Sequence, residues 1–254
     1  MMKVLAFQGS PRAKNSNTNM IVQPFLEGAR QAGASTETFY LSKLKITPCQ
    51  GCLDCWMKTP GICSLKDDMG GILEKILESD IIVFATPLYN CTMTAYMKAF
   101  IERLLPLENP RMKIINGHPA HVMRYPDKNW KWVLISNAAR PDQKCFDNLL
   151  DGFQRKSHVT GGGLHTPIVG TILRVSGLLM AAASENAENS ILPFDLDIDW
   201  FFEACIQAGK EVVELGKITQ ETHEILHRPF MDMKIEEIFE MGSKALDVLL
   251  ADIE

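Results

Sequence analysis

Short apolar runs alternate with helical apolar stripes along most of the chain. Lys3 to Gln8 is an apolar run that ends in Gly9-Ser10-Pro11-Arg12, and Met20, Ile21, Phe25 and Ala29 then recur at helical spacing between about Asn17 and Ala32. This pattern predicts strand, loop, helix. Thr36 to Leu41, rich in β-branched and aromatic residues, predicts a second strand. Asp80 to Pro87 is continuously apolar between polar and proline boundaries, as expected of a strand buried on both faces of a parallel sheet. A helix over roughly Thr94 to Leu105 follows it. Trp132 to Asn137 predicts the fourth strand, a helix around Gln143 to Lys156 comes next, and Pro167 to Ile172 predicts the fifth strand. After a Gly- and Ala-rich stretch, two amphipathic segments follow, about Asp199 to Leu215 and Met233 to Leu250.

Two stretches break the alternation. Between Cys49 and Cys63, the residues Pro48, Gly51, Pro60 and Gly61 exclude regular structure, and Asp67 and Asp68 then read as N-terminal caps of a helix over about Met69 to Glu78. Asn109 to Asn129 has no clear periodicity and reads as an excursion before the next strand. Strands alternating with helices predict a doubly wound α/β domain with right-handed crossovers. Ligands of such sheets bind outside the carboxyl ends of the strands, so the loops Gly9 to Thr18, Pro87 to Thr92 and Asn137 to Gln143 are the places to look for chemistry.

Composition narrows the class without changing the fold. The chain has 254 residues, of which 46% are hydrophobic and 22% charged, which excludes global disorder. A net charge of −5 offers no reason to seek nucleic acid or an anionic membrane. The first ten residues do not read as a secretory signal, and Pro167 to Ala183 falls short of a membrane span, so a cytoplasmic protein is expected. Seven cysteines, an odd number, argue for metal or redox chemistry over a disulfide framework.

Gly9-Ser10-Pro11-Arg12-Ala13-Lys14-Asn15-Ser16-Asn17-Thr18 places hydroxyls, amides and two cations on the turn from a buried strand into a helix N-terminus. Free amides and the helix dipole favour a phosphate there. The loop lacks the glycine pattern of triphosphate and dinucleotide sites, so a monophosphate fits better. An ordinary polar loop in which Ser16 or Asn17 caps the helix is the competing reading.

Gly-Ser-Pro-Arg with Ser-Asn-Thr after the first strand, Pro87-Leu88-Tyr89-Asn90 after the third, and Cys49-x2-Cys52-x2-Cys55-x7-Cys63 followed by Asp67-Asp68-Met69 together resemble the NAD(P)H-dependent FMN reductase and iron–sulfur flavoprotein family. The resemblance runs from Lys3 to about Asp151. It implies a flavodoxin-like parallel five-stranded sheet of order 2-1-3-4-5. It also implies that Ser10, Arg12, Ser16, Asn17 and Thr18 hold the FMN phosphate, and that Pro87, Leu88, Tyr89 and Asn90 lie against the isoalloxazine ring, with Asn137 and Ala138 of the third loop beside it. That third loop, Ser136-Asn137-Ala138-Ala139-Arg140-Pro141, departs from the family's usual glycine-containing version. A flavin ring needs a flat apolar contact and backbone amides, which Leu88, Tyr89 and their loop could supply. Tyr89 as a half-buried packing residue is the competing reading.

The compact cysteine spacing suits ferredoxin-type ligation better than structural zinc, which usually joins two separated pairs. The resemblance implies a 4Fe–4S cluster on Cys49, Cys52, Cys55 and Cys63; zinc and free thiols stay open as alternatives. Cys91, Cys145 and Cys205 read as buried structural thiols. His223-Glu224-Ile225-Leu226-His227 matches the zincin pattern. Pro229 disfavours helix at Arg228, and a solvated turn is the better account. His118, His121, Arg111, Lys113 and Arg124 could bind the nicotinamide cofactor or an anionic substrate, but read first as a solvated or subunit-contacting loop.

The expected organisation is a flavodoxin-like domain over residues 1–216, with a Cys-rich loop at 48–64 and an insertion at 106–130, and a helical C-terminal extension over 217–254. The apolar stripe Ile235, Ile238, Phe239, Ala245, Leu246 and Leu249 would pack on the domain or a second subunit. The resulting functional expectation is an FMN-dependent NAD(P)H oxidoreductase serving a small acceptor such as a quinone or flavin, as a homodimer or homotetramer. The alternatives are a ferredoxin-linked electron carrier and a regulatory module without flavin.

Overall fold

The computed structural model describes residues 1–115, 117–159, 167–177, 179–180, 196–231, 234, 236–237, 240 and 243. The predicted Met233 to Leu250 helix and its apolar stripe fall almost wholly outside these residues. The strands are β1 (Lys3–Gln8), β2 (Ser35–Tyr40), β3 (Ile81–Pro87), β4 (Glu108–Ile115), β5 (His118–Met123), β6 (Lys131–Asn137) and β7 (Ile168–Arg174). The helices are α1 (Asn17–Gln31), α2 (Asp54–Met57), α3 (Met69–Leu77), α4 (Ala95–Glu102), α5 (Asp147–Val159), α6 (Asp199–Glu214) and α7 (Gln220–His227).

The main sheet is parallel with order β2-β1-β3-β6-β7, which is 2-1-3-4-5 when only its own five strands are counted. Every residue of β3 is buried, as its unbroken apolar run requires. Successive side chains point to opposite faces, and the core divides accordingly. Val4, Ala6, Val83 and Ile135 meet α1 and α6 on one face; Leu5, Phe7, Phe84 and Leu134 meet α3, α4 and α5 on the other. Two glycines let α1 and α6 touch backbone to backbone. A Cβ on Gly28 would collide with the Ile206 carbonyl, and one on Gly209 with the Phe25 carbonyl.

Three local expectations need correction. The excursion is an antiparallel hairpin, with Met112 opposite His121 and Ile115 opposite His118. Its connection includes Gly117 at a φ of 80°; the Asn116-Gly117 dipeptide was the sequence signal for it. The cysteine stretch contains one helical turn, α2, entered through Leu53 at a φ of 57° and braced by an Asp54–Lys58 ion pair at 2.9 Å. Asp68 occupies the N-cap of α3 without capping it through its side chain. Its carboxylate instead accepts from the Lys45 amide at 2.7 Å. Asp67 forms a buried two-pronged ion pair with Arg103, at 2.7 and 2.9 Å. Burial alone would raise the Asp67 carboxyl, but hydrogen bonds from Arg103 and from the Thr47 and Met69 amides outweigh it and hold the group below its ordinary value.

Candidate functional site

β1 delivers the chain to the crevice between the carboxyl ends of β1 and β3, where the strand order reverses. The loop is fastened to its surroundings on both sides. The Gly9 amide donates to the Ala85 carbonyl at 2.7 Å, and the Thr94 hydroxyl at the N-cap of α4 donates to the Gly9 carbonyl at 2.7 Å. A short 3-10 turn over Ala13–Asn15 then leads to Ser16, whose hydroxyl caps α1 by accepting from the Asn19 amide at 3.2 Å. The first turn of α1 leaves the Asn17 and Thr18 amides without intrahelical acceptors, at the positive end of the helix dipole.

The structure brings Ser10, Arg12, Ser16, Asn17 and Thr18 into this one loop, but not all with free hydroxyls. Ser10, Ser16 and Thr18 are buried. The Thr18 hydroxyl donates to Asn137 Oδ1 at 2.6 Å, tying the loop after β1 to the end of β6. Asn17 Nδ2 donates to the Gly177 carbonyl at 2.7 Å, tying it to the segment after β7. The exposed member is Arg12, whose guanidinium donates to Asn17 Oδ1 at 3.3 Å. The groups left to face a ligand are therefore the helix amides and the Arg12 cation.

After β3 the chain makes a tight reversal. The Leu88 amide donates to the Asn137 carbonyl at 2.8 Å, and Tyr89 and Thr92 exchange backbone hydrogen bonds at 2.9 and 3.1 Å. Asn90 and Cys91 have φ of 52° and 65°, the signature of a type I′ turn. Tyr89 is 48% exposed. Asn137 and Ala138 are buried behind this turn, with the Ala138 amide donating to the Arg174 carbonyl at 2.9 Å. Gly177, which a side chain would crowd against the Ala138 carbonyl and Asn137, was not singled out in the sequence. The Ser176-Gly177 pair after the fifth strand was its only signal.

None of the four clustered cysteines forms a disulfide: Cys55 is buried, Cys49 and Cys63 are half-buried and Cys52 is exposed. The Cys55 thiol is pushed up by burial first and then by negative charge on Cys63, Cys49 and Cys52, so the four share one neighbourhood. Donation from the Asp54 amide and then from Ser64 lowers Cys52. The hairpin roofs this loop: Trp56 lies 4.6 Å from the His121 ring, and Arg124 donates to the Cys55 carbonyl at 3.5 Å. His121 therefore packs against the cysteine loop. Among the described residues no group of three or more His, Cys, Asp or Glu side chains stands in metal-binding array. As a donor set, four thiols on one short loop beside the Arg103 cation fit a thiolate-ligated cluster chemically.

Of the remaining cysteines, Cys205 is buried and Cys145 half-buried, its thiol pushed up to about 11 chiefly by burial. Cys91 departs from expectation, being exposed at the tip of the turn. The His223-to-His227 segment is also corrected. It is helical, ends at His227 because Arg228 before Pro229 is extended, and lies against the sheet edge. His227 accepts from the Leu173 amide of β7 at 3.3 Å through Nε2, and its Nδ1 lies 2.7 Å from the His223 carbonyl. Both ring nitrogens are engaged, and burial pushes the imidazole down to about 4. Sequence periodicity could not show that α7 shields an open strand edge.

A parallel sheet of this order, with the loop from β1 into α1 at its β1/β3 crevice, defines a flavodoxin-like α/β protein. The chain belongs to the NADPH-dependent FMN reductase family, whose model matches residues 2–129. It is 37% identical over 105 residues to an iron–sulfur flavoprotein of Archaeoglobus fulgidus, covering 41% of this chain and 46% of that one. It is 31% identical over 102 residues to a putative NAD(P)H-dependent FMN-containing oxidoreductase of Bacillus subtilis, covering 40% and 51%. The matched stretch thus spans about half the length of these relatives. In fold it is similar to an NAD(P)H:quinone oxidoreductase of Methanothermobacter marburgensis, with a TM-score of 0.56, 16% identity and coverage of 83% of this chain and 96% of that one. An FMN-dependent NADH-azoreductase of Bacillus anthracis superposes with a TM-score of 0.54 at 13% identity over 85% and 99%.

Proposed function

We propose that this chain is an FMN-dependent NAD(P)H oxidoreductase that delivers electrons to a small acceptor such as a quinone or a flavin. The observation that carries the reading is the loop at the start of α1, cross-linked through Thr18 to Asn137 of β6 and through Asn17 to the segment after β7. Arg12 and the Asn17 and Thr18 amides would hold the flavin phosphate. Ser10 and Ser16 shape that loop from within, since their hydroxyls are turned into it. Pro87, Leu88, Tyr89 and Asn90 would line the ring, with Asn137 and Ala138 behind them. When bound, FMN supplies acceptance of a hydride and release of electrons in ones or twos. The chain's part is to orient the ring, keep the buried side dry and leave the Tyr89 side open to donor and acceptor. No side chain need act as acid or base.

A second reading is a ferredoxin-linked carrier. The cysteine loop favours it, as does the iron–sulfur name of the relatives. Cys49, Cys52, Cys55 and Cys63 would hold a 4Fe–4S cluster, which supplies one-electron transfer. A cytoplasmic homodimer or homotetramer is the form we propose. No described helix is long and apolar enough to cross a membrane.

Anaerobic purification with a visible spectrum and iron and sulfide analysis tests both readings. Flavin bands bleached rapidly by NADH or NADPH are the expected result. About four irons per chain, with bleaching only by reduced ferredoxin, would favour the carrier. A colourless protein with no FMN affinity would overturn both.

A further inference from the structure

We infer that Gln8, the last residue of β1, is the positioning residue that shapes the anion loop and sets its preference for a flavin bearing a phosphate over one without; this rests on the flavin reading above. Gln8 is fully buried beneath the loop. Its Oε1 accepts from the Ser10 amide at 3.0 Å, and its Nε2 donates to the Ala13 carbonyl at 3.0 Å and to the Ser16 hydroxyl oxygen at 2.6 Å. One side chain thus ties together the beginning, middle and end of the loop.

The partners dictate the residue type. The Ser10 amide can only donate and the Ala13 carbonyl can only accept, so the group between them must offer one acceptor and one donor. Ser16 reinforces the arrangement. Its hydroxyl donates to the Ala13 carbonyl at 2.7 Å, which leaves its lone pairs for Gln8 and the Asn19 amide. Ala13 itself sits at a φ of 49°, a left-handed conformation that costs a residue with a Cβ and must be imposed by its surroundings. Gln8 and Ser16 impose it by holding the Ala13 carbonyl from two sides. The result is a loop whose inner polar groups are all matched, so that the α1 amides and Arg12 are the groups presented outward.

A glutamate here would set a second acceptor against the Ala13 carbonyl and a negative charge under the anion site. A methionine would fill the same space with no hydrogen bond. In both cases the loop loses its shape where the phosphate would sit, while Pro87 to Asn90 and Asn137 to Ala138, on other strands, keep theirs.

The test is to titrate the full-length apoprotein with FMN and with riboflavin, following quenching of flavin fluorescence, for the wild type, Gln8→Met and Gln8→Glu. The wild type is expected to prefer FMN. Gln8→Met is expected to weaken FMN binding by about tenfold or more and to leave riboflavin within about twofold. Gln8→Glu should show the same selective loss at neutral pH. Relative to wild type at each pH, its FMN preference should return as the pH is lowered, because a protonated carboxyl again offers one donor and one acceptor. This second variant decides the matter if Gln8→Met does not fold. An unchanged FMN-to-riboflavin ratio, or an equal loss for both flavins, would overturn the role given to Gln8. A wild type that binds the two flavins equally or not at all would instead overturn the phosphate site on which it rests.

Discussion

Glu211 is a buried carboxylate held by hydroxyl, amide and side-chain donors. It accepts from the Thr219 amide at 2.8 Å, from the Thr219 and Thr222 hydroxyls at 3.0 and 2.7 Å, and from Gln207 at 3.2 Å, joining α6 to the N-cap of α7. Burial by itself would raise this carboxyl, but the Thr219 amide and the side-chain donors outweigh it and keep it below its ordinary value. A depressed carboxylate contributes stability above its unfolded pKa and loses that contribution as the pH falls through the folded value. Glu211→Gln should therefore cost about 2 kcal/mol at neutral pH, where its new N–H groups meet donors. The difference should shrink as the pH drops below about 4. Urea unfolding of both proteins across that range checks it; a pH-independent gap would contradict the assignment. The same scale shows the limit of reading hydroxyls from sequence. Ser16 and Thr18 stood out as anion ligands by type, yet folding turns both hydroxyls inward, onto Ala13 and Asn137.

Between elements, the contact of α1 with α6 depends on residues chosen for what they lack. Gly in a helix is disfavoured by about 1 kcal/mol relative to Ala. At Gly209 that preference is overridden, because a methyl group would strike the Phe25 carbonyl. Gly71, on the exposed face of α3, has nothing within 4 Å of an added Cβ. The same substitution should thus have opposite signs: Gly209→Ala lowers stability by about 2 kcal/mol, and Gly71→Ala raises it by up to about 1 kcal/mol. Thermal melts of the pair decide this, and two shifts of equal sign would refute the packing argument. The strands of the main sheet were legible from their apolar runs. The strands of the hairpin were not, since on β4 the apolar Met112 and Ile114 alternate with Arg111 and Lys113 yet stay exposed. Its role over the cysteine loop is a matter of contact between segments about 65 residues apart, from Trp56 to His121, and no local pattern encodes it.

At the scale of the whole molecule, the segment after residue 216 contributes to the core. Ile218, Leu226 and Phe230 are buried in the cluster shared with α1 and α6. The Ile218 amide donates to the Val169 carbonyl at 2.9 Å, and His227 receives the Leu173 amide, so the outer edge of β7, the one not paired with β6, is hydrogen-bonded as well. Arg174 at the end of β7 is buried with its guanidinium 3.7 Å from the Phe230 ring and donating to the Arg228 carbonyl at 2.7 Å. A chain truncated after Gly216 is expected to aggregate or melt well below the full chain, because it bares an apolar face and an open strand edge. Size-exclusion chromatography and a thermal melt test this. A monodisperse product of unchanged Tm would show that the flavodoxin-like unit is complete without the extension. The sequence by itself determined the alternation of strands and helices, the parallel sheet and the place of the loop between β1 and α1, because periodicity, turn residues and helix ends are local properties. The tertiary structure alone decided which groups of that loop face outward, what roofs the cysteines and what seals the sheet edge. Each of these depends on hydrogen bonds and packing between residues distant in the chain, whose partners no local pattern specifies.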